Sequence, residues 1–195
     1  QLGIRAFITK KPRVLVGMYY KNDVEVLGQS QNGFTEDNIL ASLFRTTPLR
    51  NLTGVKQINS YIEREWFTGF TSTLSFYNRT MTPLADFHYE YQKTPTVTGV
   101  KDNITTSEIR FLTRFAYNEK YVEGVFTRTA LGVTKFPIIQ AQYTLGVKGL
   151  FGGDYNYQKL TVNWEHRVRI APIGYFDYVL EYGKIWGKLP YPLLM

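Results

Sequence analysis

Residues 138–148 read IIQAQYTLGVK, and apolar and polar side chains alternate along this stretch. From Ile139 onward every second residue is apolar, while Gln140, Gln142 and Thr144 stand between them. Successive side chains of a β-strand point to opposite faces, so the pattern predicts a strand with one apolar and one polar face. The same period of two recurs along most of the chain, and about nine or ten strands fit it, including one near residues 121–129.

Turns and one exception interrupt this pattern. Pro12 and residues 117–120 mark two turns between predicted strands. The apolar spacing of residues 39–44 follows the period of a helix, which predicts one short helix that ends before Pro48. Residues 80–103 contain prolines and glycine and are predicted to be a long loop with strand ends in it.

Composition narrows the classes of protein. The chain carries a net charge of +7, but its Lys and Arg are interspersed with Asp and Glu, which argues against a nucleic-acid surface. No apolar run approaches the length of a membrane-spanning helix, which needs about 18 residues. A strand that faces lipid carries its apolar residues at alternate positions only, so a mean hydropathy of −0.24 is compatible with a membrane β-barrel.

These observations predict a single all-β domain over residues 1–195. We expect an antiparallel up-and-down transmembrane β-barrel, part of a larger barrel, with one short helix. The aromatic content of 16% suits the aromatic girdles of such a barrel. A soluble β-barrel or sandwich with an aromatic cavity is the alternative, because it shares the aromatic excess and would bury the apolar face inside.

The two faces of the predicted barrel have different surroundings. Bulky side chains recur on one face of almost every strand, and charges of both signs on the other can form ion-pair ladders between strands. The predicted lipid-facing residues are Ile109, Phe111, Phe115, Ile139, Tyr143, Leu145, Val162, Trp164, Tyr178 and Leu180. The predicted lumen-facing residues are Glu108, Arg110, Arg114, Glu165, Arg167, Arg169, Asp177 and Glu181.

No arrangement of residues indicates catalysis. The sequence contains no cysteine, no nucleophile elbow and no phosphate-binding loop. The two histidines, His88 and His166, lack the spacing of a zinc site and are interpreted as structural. We therefore expect a protein that is not an enzyme, with no cofactor, no metal and no nucleic-acid partner.

A glycine-rich loop, VKGLFGGDYN at residues 147–156, follows the alternating strand that begins at Ile138. Glycine allows positive φ and close approach of the backbone. Lys148 is expected either to reach an acidic lumen residue such as Glu165 or Glu181, or to belong to a tight hairpin whose glycines serve only the turn. The residues predicted to matter most for function are Lys148, Gly149, Gly152, Gly153 and Asp154.

The C-terminal part of the chain resembles a known family. The runs SEIRFLTRFAYNEKYVEG, FPIIQAQYTLGVKGLFGGDYNYQKLTVNWEHR and IGYFDYVLEYGKIWGKLPYPLL closely resemble a Bacteroidota outer-membrane β-barrel family of uncharacterised function. Members of that family carry an N-terminal carboxypeptidase-regulatory-like domain, which is not in this chain. The likeness runs through roughly residues 39–194 and is strongest from Glu108 onward.

A looser resemblance points to the barrel of the BamA/TamA and two-partner-secretion superfamily. It rests on VKGL at residues 147–150 and FDYVLEYGKIW at residues 176–186. Lys148 stands where that superfamily has arginine, and Leu150 stands where it has an aromatic residue, so the stacked arginine contact inside the lumen is in doubt here.

The resemblance implies a multi-pass β-barrel of the outer membrane. It implies a subunit or scaffold in envelope biogenesis, secretion or transport, with the lipid bilayer and proteins of an outer-membrane complex as partners. A porin-like channel and a soluble ligand-binding β-barrel are the alternatives. Longer loops of outer-membrane barrels lie outside the cell, so residues 80–103 are expected there. Because the chain begins within a strand pattern and ends without a terminal aromatic strand, we expect it to be part of a longer polypeptide.

Overall fold

The computed structural model shows an all-β protein. It describes residues 1–26, 52–84, 89–94, 97–124, 128–131, 135–190 and 193. The strands in these ranges are β1 (Leu2–Lys10), β2 (Arg13–Val26), β3 (Leu52–Phe67), β4 (Phe70–Pro83), β5 (Tyr89–Thr94), β6 (Val97–Lys101), β7 (Ile104–Ala116), β8 (Tyr121–Glu123), β9 (Arg128–Ala130), β10 (Ile138–Gly146), β11 (Tyr157–Ile170) and β12 (Gly174–Trp186).

Eight of these strands form one antiparallel sheet in the order β1-β2-β3-β4-β7-β10-β11-β12. The sheet follows the chain from edge to edge, and the small hairpins β5-β6 and β8-β9 are inserted between its successive strands. The predicted up-and-down antiparallel arrangement is therefore confirmed. Within the described residues, β1 and β12 are the two edges of the sheet. The turns predicted at Pro12 and at residues 117–120 are also confirmed.

Two predicted segments differ from the structure. Residues 80–103, expected as a long loop, contain the end of β4 and the β5-β6 hairpin. The strand expected near residues 121–129 is divided into β8 and β9, which pair with each other outside the main sheet. Short aromatic and β-branched runs separated by turn residues pair locally in this way. The helix predicted over residues 39–44 lies outside the described residues.

The register divides the sheet into an apolar face and a polar face. Leu74 stands opposite Phe111, which in turn stands opposite Tyr143, and rows of this kind extend across the sheet. The apolar face contains Leu2, Ile4, Met18, Tyr20, Ile58, Ile62, Phe70, Leu74, Phe76, Ile109, Phe111, Phe115, Ile139, Tyr143, Leu145, Leu160, Val162, Trp164, Phe176, Tyr178, Leu180 and Tyr182.

Burial on the two faces is the reverse of that in a soluble sheet. On the central strands, Leu74 and Phe111 of the apolar face are 49% and 46% exposed, whereas Glu108 on the polar face is only 6% exposed. On the edge strands β1 and β12 both faces are largely exposed. Asn59 and Thr144 on the polar face are also buried. A twisted sheet encloses one face when it curls, so the polar face is the inner one and the apolar face is the outer one.

A small apolar cluster covers one end of the polar face. Val55, Met81 and Ile104 are cross-strand neighbours on β3, β4 and β7, and all three are buried. Tyr89 of β5 and Leu193 belong to the same cluster. The chain therefore returns from the edge strand β12 to the middle of the sheet, where Leu193 helps to close this end of the inner face.

Candidate functional site

The structure sorts the predicted site residues by face. The ten residues predicted to face lipid all lie on the apolar face, and the eight charged residues predicted to face a lumen all lie on the polar face. Contact with lipid and with a lumen remains a prediction.

Glu108 is the centre of a buried polar network on β7. Its carboxylate accepts a hydrogen bond of 2.6 Å from Arg110 Nε and a second one from the hydroxyl of Tyr157 on β11. The guanidinium of Arg110 also stacks over the ring of Tyr77, 3.9 Å from its centroid. A buried carboxylate needs such partners, because an unpaired charge away from water is strongly unfavourable.

Glycines on the polar face make room for tyrosine rings. Gly146 stands between Glu108 and Tyr157 in the register, and a Cβ atom at this glycine would lie 2.2 Å from the Tyr157 ring. The ring therefore crosses β10 over the glycine backbone, which brings its hydroxyl to Glu108 on the next strand. Gly17 and Tyr61 repeat the arrangement, with a separation of 2.6 Å.

Other charged groups of the polar face form separate pairs. Glu25 accepts from Lys21 at 2.8 Å and also binds Arg79, which links β2 with β4. Arg167 pairs with Asp177 across β11 and β12. The predicted ladder is therefore not continuous, and within the part of the chain that the structure describes its members Glu165, Arg169 and Glu181 form no ion pair.

Arg114 finds its partner in the turn that follows β7. Its two terminal nitrogens donate to the two carboxylate oxygens of Glu119, at 2.7 and 2.9 Å, and the Tyr121 hydroxyl donates to the same carboxylate. Burial by itself would raise the pKa of Glu119, but the hydrogen bonds from Arg114 and Tyr121 hold this pKa below its usual value.

The loop of residues 147–156 folds back against β7 and β4. Beyond the last pair of β10 with β7, the N–H of Val147 donates to the carbonyl of Ser107 and the N–H of Asp154 to that of Thr105, both at 2.9 Å. The Asp154 carboxylate accepts from the Thr105 N–H at 2.8 Å and pairs with Lys101 at 2.5 Å. The loop thus continues the pairing of β7 after β10 has ended.

Lys148 does not make the expected contact. Its N–H donates to the Asn156 side chain at 2.6 Å, and its side chain is exposed. The register places Gly146, two residues before Lys148, opposite Tyr157. Glu181 stands opposite Asn163, six residues after Tyr157, and Glu165 follows Tyr157 by eight residues. Both carboxylates therefore lie about 20 Å or more along β11 from the start of the loop. A lysine side chain cannot span that distance. Gly149, Gly152, Gly153 and Asp154 shape the loop, whereas Lys148 does not reach the polar face.

The structure describes one of the two histidines of the chain. His166 lies on the apolar face, where its Nδ1 is 3.0 Å from the Tyr178 hydroxyl oxygen. His88 lies outside the described residues. In the ranges that are described, no group of three or more His, Asp or Glu side chains is arranged to hold a metal ion.

Several members of the polar network lie outside the set of residues predicted from the sequence. Glu25, Arg79, Tyr77 and Tyr157 were not among the predicted lumen residues, and Gly146 was not recognised as the space for a ring. The residue type could have identified these side chains, because each is a tyrosine or a charged residue at a position of its strand that alternates with the apolar ones. Which glycine faces which tyrosine depends on the cross-strand register, which a single strand does not reveal.

The fold and these contacts define an up-and-down antiparallel sheet protein with a polar inner face and an exposed apolar outer face. The chain belongs to a family of unknown function, DUF5686, because residues 44–188 match the C-terminal domain of that family. The expected membership of an uncharacterised family is thus confirmed, while its outer-membrane location remains a prediction. No curated protein and no solved structure matches the chain. Among the described residues, no helix has the length and apolar character needed to cross a membrane.

Gly146→Ala should disrupt the Glu108 network. The added methyl group would collide with the Tyr157 ring, so we expect the free energy of unfolding to fall by about 1–3 kcal/mol. Gly183→Ala is the matched control, because Gly183 also lies on the polar face but has no atom within 4 Å of the added Cβ. Midpoints of urea unfolding measure both effects. Equal midpoints for the two variants would show that the ring does not lie over Gly146.

The ion pair of Glu119 should make stability depend on pH. Its lowered pKa means that its contribution is complete above the unfolded-state pKa, about 4.3, and is lost as pH falls through the folded-state value. Glu119→Gln should therefore be less stable than wild type at neutral pH, with a difference that shrinks in acid. Unfolding midpoints from pH 7 down to about pH 3 measure this difference. The exposed Glu165→Gln is the control, and a difference that does not change with pH would contradict the assignment.

Proposed function

We propose that this chain forms part of the wall of a transmembrane β-barrel in the outer membrane, with its apolar face toward lipid and its polar face toward a watery interior. The observation that carries the proposal is the reversed burial on the central strands: bulky apolar side chains such as Phe111 are exposed on one face, while Glu108 and Thr144 are buried on the other. In a soluble antiparallel sheet the apolar face is the buried one.

The size of the apolar face supports a lipid environment. Eight strands about 4.8 Å apart are about 34 Å wide, and the apolar residues from Ile139 to Leu145 extend about 20 Å along one strand. The face therefore covers an area on the order of 700 Å², whereas the largest apolar patch of a soluble monomer is roughly 300–600 Å². Strands of the main sheet contain between 9 and 16 residues, and about 9–11 tilted residues cross a bilayer.

Tryptophan and a basic residue occur together near both ends of the apolar face. Arg64 lies 4.1 Å from the ring centroid of Trp66 at the end of β3, and Lys184 lies 5.1 Å from that of Trp186 at the end of β12. In an up-and-down sheet β3 and β12 end on opposite sides. Tryptophan and snorkelling basic residues prefer the two interfaces of a bilayer, so the pairs fit the borders of a lipid-facing band.

Unpaired polar atoms on the inner face favour a wet interior. The side-chain oxygens of Asn59, Thr106 and Asn163 are buried and have no hydrogen-bond partner among the described residues. All three lie on the polar face. Buried polar atoms are normally hydrogen-bonded, and water in the interior would satisfy them.

A barrel in a membrane must also satisfy the edges of its sheet. The backbone groups on the free sides of β1 and β12 have no strand partner in the described residues, and hydrocarbon offers them none. The proposal therefore requires that both edges are paired, and we infer a larger barrel in which further strands join β1 to β12.

We further propose that this wall serves as a subunit or scaffold in envelope biogenesis, secretion or transport, and is not itself catalytic. Ion pairs hold the charged groups of the polar face, and an apolar cluster covers one end of it, which favours a structural role over an open pore. A porin-like channel is the second candidate. A soluble ligand-binding barrel is disfavoured, because its apolar face would be enclosed.

Leu180→Arg and Val179→Arg test which face meets lipid. The two residues are adjacent on β12, both aliphatic and similarly exposed, at 62% and 54%, but they lie on opposite faces. In a bilayer Leu180→Arg should cost about 2–4 kcal/mol and Val179→Arg far less. Unfolding of the full-length protein in lipid vesicles, followed by heat-modifiable gel migration, measures the difference. Equal tolerance of both substitutions would mean that the apolar face does not contact lipid.

Purification from native membranes tests the role in a complex. We expect the protein to require detergent and to be recovered with other envelope proteins in a stable complex. We also expect no steady ion conduction when it is placed in a planar bilayer. Recovery as a monomer that conducts ions steadily would instead favour the porin-like channel.

A further inference from the structure

We propose that the loop of residues 147–156 is a lipid-contacting element that completes the apolar face at its rim and carries Phe151 into the bilayer interface. The inference rests on the proposed function, since it names a second part of the chain that would contact the same lipid. It concerns one side of the rim only, where β4, β7 and the loop meet.

The apolar face has a polar gap at this position. One row of the sheet begins with Leu2, Tyr20 and Ile58, which are apolar, and continues with Asn78 and Ser107 on β4 and β7. These two side chains lie on the outer face. Hydrocarbon has no hydrogen-bonding groups, so polar side chains at this level need partners from the protein.

The loop supplies those partners. Asn78 Nδ2 donates to the Phe151 carbonyl at 3.0 Å and to Ser107 Oγ at 2.9 Å, and Ser107 Oγ donates to the Leu150 carbonyl at 2.6 Å. The loop thus lies over the outer face and not in the interior of the sheet. It covers the two polar side chains and satisfies two of its own carbonyl groups in the same contacts.

Phe151 is presented outward by an unusual backbone. The residue has φ of 41° and lies between Gly149 and Gly152, whose φ values are 83° and 81°. Its ring packs on Phe76 of the apolar face, 5.4 Å between centroids, yet it remains 73% exposed. A left-handed conformation is unfavourable for phenylalanine, and in water the exposed ring would gain little from it. In lipid the ring would be buried and would extend the apolar face across the gap.

A clamp holds the loop in this position. The Asp154 carboxylate binds the Thr105 N–H and Lys101, and a Cβ atom at Gly153 would lie 2.5 Å from the Val147 carbonyl oxygen. The tight turn therefore requires glycine, and its return to β7 requires the aspartate. Both residues act as positioning residues for Phe151.

Spin labels on single cysteines test the inference; residues 1–195 contain no cysteine, and any cysteine elsewhere in the full-length protein is first replaced by serine. Phe151→Cys, Leu180→Cys and Val179→Cys are made in the full-length protein, labelled with a nitroxide and reconstituted in phosphatidylcholine vesicles. Collision with oxygen, which concentrates in lipid, is compared with collision with a water-soluble nickel chelate. We expect oxygen to dominate at positions 151 and 180 and the nickel chelate to dominate at position 179.

The outcomes separate this inference from the proposed function. If oxygen dominates at position 180 but the nickel chelate dominates at position 151, the barrel stands and the loop proposal is overturned. If the nickel chelate dominates at position 180 as well, the proposed lipid-facing wall is overturned and the loop proposal with it.

Two further variants complete the test. Asp154→Asn combined with Phe151→Cys should increase collision with the nickel chelate at position 151 and leave a label at position 180 unchanged, and no change at either position would contradict the clamp.

If the label at position 151 prevents folding, Phe151→Trp in a background with phenylalanine at the three native tryptophans asks the same question through quenching by brominated lipid. Emission that brominated lipid does not quench would overturn the proposal.

Discussion

Cross-strand register is the constraint on which the rest of this structure depends. Because side chains alternate along each strand, a slip of one residue on β7 would bring Phe111 to the inner face and Arg110 to the outer one. Every neighbouring strand repeats the division, so a slip would break both the apolar rows and the network around Glu108. The two faces therefore reinforce one register, and the curled sheet with its reversed burial follows from it.

The inner network shows how a buried charge is accommodated in such a sheet. Glu108 lies beside Arg110 on its own strand, but its second partner, Tyr157, comes from two strands away and reaches it only over Gly146. A larger residue at that glycine would leave the carboxylate with one partner fewer, and removing one partner of a buried charge costs more than the pair contributes. A residue with no side chain thus supports the most buried carboxylate of the sheet.

Segments outside the main sheet cover one end of it. Tyr89 of the β5-β6 hairpin and Leu193 close one end of the inner face, while the loop after β10 satisfies Asn78 and Ser107 on the outer face. Both devices lie on the side of the sheet where β10 ends and β7 begins. They act on opposite faces: the first covers part of the polar face, and the second covers two polar side chains on the apolar face.

The sequence by itself determined the strands of the main sheet, its two faces and its antiparallel meander, because an alternation such as that of residues 138–148 is a local property of a strand. It also indicated membership of an uncharacterised family. Only the tertiary structure decided the pairing of Tyr157 with Glu108 across Gly146, the return of Leu193 to β3 and the fold of residues 147–156 onto the outer face. These contacts depend on curvature and on register between strands that are distant in the chain, and neither is contained in the spacing of residues along one strand. For the same reason Lys148, which follows β10 closely in the sequence, has a side chain that does not reach the polar face.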